Sequence, residues 1–191
     1  MDGIKRPKVN KPLNFEMSKR RFIKISFKEM KSYSEQLARR IIEEHGAPEV
    51  IIYAQRGGML IGRLLSDALG VRDLVCISAK YYSKSNRRYS RVIVGSIPQL
   101  KVKGYALLVD DIADTGKTLN EIRSGIAKKS KAKLVTCTFG MKPQTVIRPD
   151  FYSFSVSNDT WVVFEYEEFE AMRNFSATGN DAGLRFIKKN F

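Results

Sequence analysis

Short apolar runs alternate along the chain with longer segments in which apolar residues recur every three or four positions. The apolar runs lie at 50–54, 74–78, 105–111 and 133–139. Their length and continuity predict buried β-strands, and the helical spacing between them predicts helices that include 59–69 and 118–130. Buried strands alternating with helices are typical of βαβ units. We therefore predict an α/β fold with an open, mostly parallel twisted sheet flanked by helices.

A capping box marks the start of a long helix near the beginning of this pattern. Ser26 is followed three residues later by Glu29, a spacing at which each side chain can bond the other's backbone N–H. Apolar residues continue at helical spacing until Gly46 and Pro48 end the helix. We predict a short strand over Phe22–Ile25, directly before the cap.

The composition divides the chain into three parts. Residues 1–20 are polar and basic, and we expect a poorly ordered arm. Residues 21–140 hold the predicted α/β core. Residues 141–191 begin with short, aromatic and acidic runs, and we interpret them as a small C-terminal hood with a tail.

The chain carries 34 Lys and Arg against 20 Asp and Glu, a net charge of +14. The blocks 1–31, 80–103 and 123–148 each have an excess of seven basic residues, and the rest of the chain carries a net charge of −7. Blocks of one sign indicate an anionic partner, either nucleic acid or a phosphorylated small molecule.

Several classes of protein are excluded. No apolar run reaches the roughly 20 residues of a membrane span, and the basic N-terminus lacks the apolar core of a secretory signal. Cys76 and Cys137 lie within apolar runs, so we predict reduced, buried thiols and a cytoplasmic protein. A single histidine, His45, excludes zinc hydrolases of the HExxH type.

The segment LLVDDIADTGKTL at 107–119 carries the most chemical information. A buried strand delivers Asp110 and Asp111, and a Thr-Gly turn then opens a helix whose free N–H groups can hold phosphate. It is not a P-loop, because Asp111 stands where that motif requires glycine. Adjacent carboxylates beside a phosphate site favour ribose hydroxyls and a hard cation such as Mg²⁺ as partners. The alternative is a strand that ends in a solvated acidic turn.

This segment resembles the phosphoribosyl pyrophosphate (PRPP) signature of type I phosphoribosyltransferases. YAQRGGMLIGRLLSDALGV at 53–71 is similar to the pyrophosphate loop of that family and its following helix. KPQTVIRPDFYSFSVSNDTWVVFEYE at 142–167 is similar to the base-binding hood of the xanthine–guanine branch. The three motifs occur in the family's order. The resemblance implies a Mg²⁺-dependent glycosyltransferase of purine salvage.

The resemblance also implies a PRPP site. Asp110 and Asp111 would bind the ribose hydroxyls and, through them or through water, Mg²⁺; Glu167 is a weaker candidate near a second metal. The 5′-phosphate would lie on Asp114, Thr115, Gly116, Lys117 and Thr118. Pyrophosphate would meet Arg56, Gly57 and Gly58, with a cis peptide expected at Arg56–Gly57. The basic loop 80–91 would close over it as a lid, unless it is merely a solvated loop.

In the same resemblance Asp114 is the catalytic residue, placed to relay the proton of purine N7. Lys142 would contact the oxygen at purine C6, Trp161 would stack on the base, and the main chain at Val162 would read its edge. The alternatives are a solvated loop lysine for Lys142 and an ordinary core aromatic for Trp161.

The implied reaction transfers 5-phosphoribose from PRPP to hypoxanthine, guanine or xanthine, giving the nucleoside monophosphate and pyrophosphate. The alternatives are the same chemistry on adenine and a PRPP-sensing or nucleic-acid-binding regulator. The absence of a known nucleic-acid-binding motif in the sequence argues against nucleic acid as the partner. Relatives tend to have F-P-W-E where this chain has F-E-Y-E, so the sequence leaves open how Glu165 and Tyr166 affect base selection. The family implies a homodimer or tetramer.

Overall fold

A six-stranded sheet forms the centre of the computed structural model, which describes residues 21–83 and 90–191. Its strand order is β4-β3-β2-β5-β6-β7, and every pair is parallel except β3 with β4. The strands are β2 (Val50–Gln55), β3 (Leu74–Ser83), β4 (Ser90–Val94), β5 (Tyr105–Ala113), β6 (Lys133–Met141) and β7 (Phe151–Ser155). The predicted α/β class with a mostly parallel sheet is therefore confirmed.

Helices cover both faces of this sheet. α1 (Phe27–His45) and α2 (Gly58–Leu69) cover one face and α3 (Lys117–Lys129) covers the other, whereas α4 (Glu168–Thr178) and α5 (Asp181–Asn190) pack in a separate cluster. Alternate residues of β2 face opposite sides, so Ile51 packs in a core with residues of α1 and α2 while Ile52 packs in a core with residues of α3. The capping box of α1 is present: Ser26 accepts from Glu29 N at 3.2 Å, and Glu29 accepts from Ser26 N at 2.8 Å.

A second, two-stranded sheet joins the start of the described chain to the segment that precedes the last two helices. β1 (Arg21–Ile25) runs parallel to β8 (Thr160–Phe164), and a 3-10 turn over Glu165–Glu167 leads from β8 into α4. The division at residue 140 stays a prediction. The sheets themselves cross it, because β7 belongs to the main sheet and β1 pairs with β8.

The two cysteines differ in exposure. Cys137 is buried, but Cys76 is exposed, so the prediction of two buried thiols is wrong for Cys76. Successive side chains of β3 face opposite sides, and the neighbouring Ile77 takes the buried side. Among the described residues, every helix is too short or too polar to span a bilayer.

Candidate active site

The segment 110–119 forms a small cradle at the carboxyl end of β5. It encloses a cavity of about 70 Å³ lined by Asp110, Ile112, Ala113, Asp114, Thr115, Gly116, Thr118 and Leu119. Gly116 precedes α3 with a φ of +70°, a conformation that favours glycine. A Cβ there would lie 2.2 Å from Thr145 Oγ1, so the loop that follows β6 packs tightly against the turn. Lys117 is exposed at the first residue of α3.

That following loop fixes the outer side of the cradle. Lys142 N donates to Ala113 O at 3.0 Å, and Val146 N donates to Thr115 O at 2.9 Å. Backbone hydrogen bonds therefore join the predicted phosphate loop to the predicted base-binding segment, which places Asp114 between them.

The adjacent carboxylates Asp110 and Asp111 lie at the edge of the cradle with backbone donors as partners. Asp111 N donates to Asp110 Oδ1 at 3.1 Å, and Ile112 N donates to Asp111 Oδ1 at 2.6 Å. Burial raises the pKa of Asp111 to about 6 and, together with the charge of Asp111, raises the pKa of Asp110 well above its ordinary value. The pair is therefore held at a cost that a bound cation or hydroxyl donors would relieve.

Glu167 lies near this pair. Burial and the charge of Asp111 raise the pKa of Glu167 to about 8, although its carboxylate accepts from Phe164 N at 3.4 Å. In the described part of the chain no group of three or more His, Cys, Asp or Glu side chains could hold a metal ion. Asp110 and Asp111 nevertheless fit Mg²⁺ chemically, since hard carboxylate oxygens suit it and Mg²⁺ commonly takes its other ligands from water and substrate.

The predicted pyrophosphate loop packs directly against these carboxylates. A Cβ on Gly57 would lie 2.2 Å from Asp111 Oδ2, and one on Gly58 would lie 2.6 Å from Val109 O. Both glycines are therefore required by the close approach of the segment after β2 to the end of β5. The Arg56 guanidinium is exposed and forms an ion pair with Glu170 of α4.

The cis peptide of this loop is Gln55–Arg56. The expected position, Arg56–Gly57, is wrong by one residue: the cis bond joins the last residue of β2 to the loop.

A larger cavity of about 1010 Å³ opens beside the cradle. Lys142, Trp161 and Val162 all line it, together with Asp111, Asp114 and Glu167, so the structure brings together the residues assigned to the base. Ile112 and Asp114 line both cavities. Glu165 and Tyr166 line neither.

Lys142 and Asp114 form the central contact of this cavity. Lys142 Nζ lies 3.1 Å from Asp114 Oδ2, and the lysine is only 7% exposed, so the alternative of a solvated loop lysine is wrong. Gln144 Nε2 donates to the other carboxylate oxygen of Asp114. Sequence reasoning missed Gln144, whose only signal is its place two residues after Lys142 in the same loop.

Trp161 packs against a neighbouring helix and also lines the larger cavity. Its ring meets Phe175 of α4 edge to face, with centroids 5.1 Å apart, and half-buried Trp161 also lines the larger cavity. The two interpretations of this residue are therefore compatible.

Two basic segments of the chain lie wholly or partly beyond the described residues. Residues 84–89 of the predicted lid at 80–91 lie outside the described residues, as does the whole basic arm at 1–20.

Residues 26–169 match the family model described as phosphoribosyl transferase domain. The chain belongs to the phosphoribosyltransferase family. It is 30% identical over 125 residues to the xanthine-guanine phosphoribosyltransferase of Cereibacter sphaeroides, covering 65% of this chain and 72% of that protein. It is 28% identical over 145 residues to the enzyme of the same name from Idiomarina loihiensis, covering 75% and 85% of the two chains.

Solved structures agree with this assignment. The purine phosphoribosyltransferase from Pyrococcus horikoshii superposes with a TM-score of 0.66 at 28% identity, covering 76% of this chain and 93% of that one. A xanthine-guanine-hypoxanthine phosphoribosyltransferase from Helicobacter pylori shares the fold, with a TM-score of 0.68, 21% identity and coverage of 83% and 99%. The predicted family is therefore confirmed, and with it an enzyme that transfers phosphoribose from PRPP.

Proposed function

We propose that this phosphoribosyltransferase acts on a 6-oxopurine, hypoxanthine, guanine or xanthine, and releases pyrophosphate and the nucleoside 5′-monophosphate. The observation that carries the proposal is the position of Asp114, which lines both cavities and lies 3.1 Å from the buried ammonium of Lys142. The names of the similar proteins support a purine as the acceptor.

The small cradle suits the 5′-phosphate of PRPP. Its volume of about 70 Å³ is of the order of a phosphate group, and it is walled by the N-terminal turn of α3 and by Thr115 and Thr118. Free N–H groups at a helix N-terminus and threonine hydroxyls are donors that bind phosphate. The exposed Lys117 adds positive charge at the rim.

The ribose would then lie over Asp110 and Asp111, whose carboxylates accept hydrogen bonds from its 2′- and 3′-hydroxyls. These residues would also hold Mg²⁺, through water or through the same hydroxyls. When bound, Mg²⁺ would neutralise charge on the departing pyrophosphate. Arg56 would bind the same group, and pyrophosphate would replace Glu170 as its anionic partner.

The base would occupy the larger cavity against Trp161. Lys142 offers only donors, so it favours the acceptor oxygen of an oxopurine over the amino group of adenine. A purine nitrogen would attack C1 of the ribose while the bond from C1 to the pyrophosphate oxygen breaks. The proton lost by the purine would pass to Asp114, which lies at the junction of the two cavities.

The test is an ultraviolet assay of PRPP consumption with hypoxanthine, guanine, xanthine and adenine in turn, with Mg²⁺ present. We expect turnover with at least one oxopurine and at least about fivefold lower kcat/KM with adenine, since a mispaired polar contact in a buried site costs about 1 kcal/mol or more. Preference for adenine would contradict the assignment of Lys142. No turnover with any base, despite PRPP binding in calorimetry, would contradict the whole proposal and favour the PRPP-sensing alternative.

A further inference from the structure

The 3-10 turn over Glu165–Glu167 contains the two residues that the similarity to purine enzymes leaves unexplained. Neither Glu165 nor Tyr166 lines the cavity assigned to the base. Each instead contacts a distant part of the chain, so their role lies outside direct recognition of the purine.

Glu165 fixes one side of this turn to the start of α1. Its Oε2 accepts from Phe27 N at 2.7 Å, and its Oε1 lies 3.2 Å from Lys24 Nζ. The Phe27 N–H and then Lys24 lower the pKa of Glu165 below its ordinary value. Lys24 also donates to the carbonyl of Asn190 at 2.9 Å, so strand β1 and the end of α5 are tied to the same carboxylate.

Tyr166 points from the other side of the turn to the pyrophosphate loop. Its ring stacks on that of Phe164, which is 1% exposed, with an interplanar angle of 16° and centroids 5.7 Å apart. Its hydroxyl donates to Gly57 O at 3.0 Å. Burial and the nearby charge of Asp111 raise the pKa of Tyr166, so the phenol keeps the proton that it donates.

The peptide that accepts the hydrogen bond from Tyr166 is tightly packed. Gly57 lies between Arg56 and Gly58 and has no room for a Cβ beside the Asp111 carboxylate. A small shift of this backbone would therefore move both the pyrophosphate loop and the carboxylate assigned to the ribose.

We propose that Tyr166 is a positioning residue whose hydroxyl holds the Gly57 carbonyl and thereby sets the shape of the pyrophosphate loop. Glu165 anchors the turn from which Tyr166 acts, so the segment next to the base cavity is physically joined to the PRPP side. This inference rests on the proposed function, because it assigns pyrophosphate to Arg56, Gly57 and Gly58.

The test compares Tyr166→Phe with the control Tyr152→Phe. Tyr152→Phe also removes a hydrogen bond to a tyrosine hydroxyl, the one that Arg148 Nη2 donates at 2.7 Å, but Tyr152 lines neither described cavity. Loss of one neutral hydrogen bond predicts a roughly two- to tenfold rise in KM for PRPP and in Kd for pyrophosphate with Tyr166→Phe. KM for the purine should stay within about twofold, and Tyr152→Phe should change neither constant beyond that margin.

The two substrates separate positioning from a general loss of structure. Equal rises in both KM values, or unchanged binding of PRPP and pyrophosphate, would overturn the role of Tyr166. Calorimetry with pyrophosphate needs no turnover, so it tests Tyr166 even where the base assignment fails. If the wild-type protein bound no pyrophosphate, both proposals would fall. If the wild type turned over normally and Tyr166→Phe kept the wild-type KM for PRPP and Kd for pyrophosphate, only the inference about Tyr166 would fall.

Discussion

The cradle at 110–119 and the turn at Glu165–Glu167 are built in opposite ways. The cradle is one continuous segment, and eight of its residues line a single phosphate-sized cavity. The turn acts through contacts between residues far apart in sequence: Glu165 reaches Phe27 across 138 positions, and Tyr166 reaches Gly57 across 109. The groups proposed to bind substrate are thus local in sequence, while the shape of the pyrophosphate loop depends on contacts between residues far apart in the chain.

Asp111 of the cradle and Glu165 of the turn differ in the same sense. Burial raises the pKa of Asp111 to about 6, whereas a backbone N–H and Lys24 lower the pKa of Glu165. Glu165 is satisfied within the protein, as expected of a structural contact. Asp111 lacks a cationic partner among the described contacts, as expected of a group that meets substrate hydroxyls and a cation.

Replacing Asp114 should have the largest effect, and it tests the role of the cradle. Asp114→Asn keeps the size of the side chain but removes the carboxylate beside Lys142, so the purine proton loses its acceptor. Loss of a general base predicts a fall in kcat of roughly 10²- to 10⁴-fold with every oxopurine, measured as initial rates. KM for PRPP should change much less.

The matched control is Asp67→Asn, which removes an exposed carboxylate paired with Arg63 on α2. It should leave kcat within about twofold, because exposed ion pairs contribute little. If Asp114→Asn retained wild-type kcat, Asp114 would have no role as the base, and the cradle would be a phosphate site alone.

The strands, the first helix and the cradle could be predicted because their signals are local. Continuous apolar runs identified β2, β5 and β6, and Ser26 with Glu29 identified the start of α1. Adjacent carboxylates followed by a Thr-Gly turn indicated a phosphate site without any knowledge of distant contacts. The resemblance added Lys142, Trp161 and Val162, which the structure places around one cavity.

What could not be predicted depends on tertiary contacts. The pairing of β1 with β8 joins residues about 140 positions apart, and no local pattern encodes it. Gln144 and Glu170 are ordinary polar residues in the sequence, and only the fold brings them to Asp114 and Arg56. The exposure of Cys76 likewise depends on which side of β3 faces the core.

Gly57 lies where the two regions meet, and its replacement should separate function from folding. Its φ of −53° and ψ of −48° suit alanine, but the new Cβ would lie 2.2 Å from Asp111 Oδ2. The carboxylate must therefore move, and displacement of about 1 Å at a reacting site predicts a loss of roughly 10²-fold in kcat/KM for PRPP. Steady-state kinetics would measure the loss of kcat/KM, and thermal melting would measure any change in stability.

Gly125→Ala is the control for this substitution. Its Cβ would lie 2.1 Å from Ile97 Cδ1, the end of a flexible side chain, and Gly125 lines neither described cavity. We expect normal kinetics from Gly125→Ala. If Gly57→Ala kept normal kcat/KM, the loop would not link the carboxylate of Asp111 to PRPP; if it melted far below the wild type, unfolding alone would account for its loss of activity.

The smallest effect is expected from replacing Glu170. It should lower KM for PRPP, whereas damage to the fold would raise it. Glu170 pairs with Arg56 from α4, so PRPP must displace a carboxylate before the guanidinium can bind its pyrophosphate. An exposed ion pair is worth about 0.2–1 kcal/mol, so Glu170→Gln should lower KM for PRPP by roughly 1.4- to 5-fold. The control Glu168→Gln removes the same charge from the same helix without the pair. Equal changes in both variants would mean that only net charge matters, whereas a rise in KM with Glu170→Gln would show that Glu170 supports PRPP binding instead of opposing it.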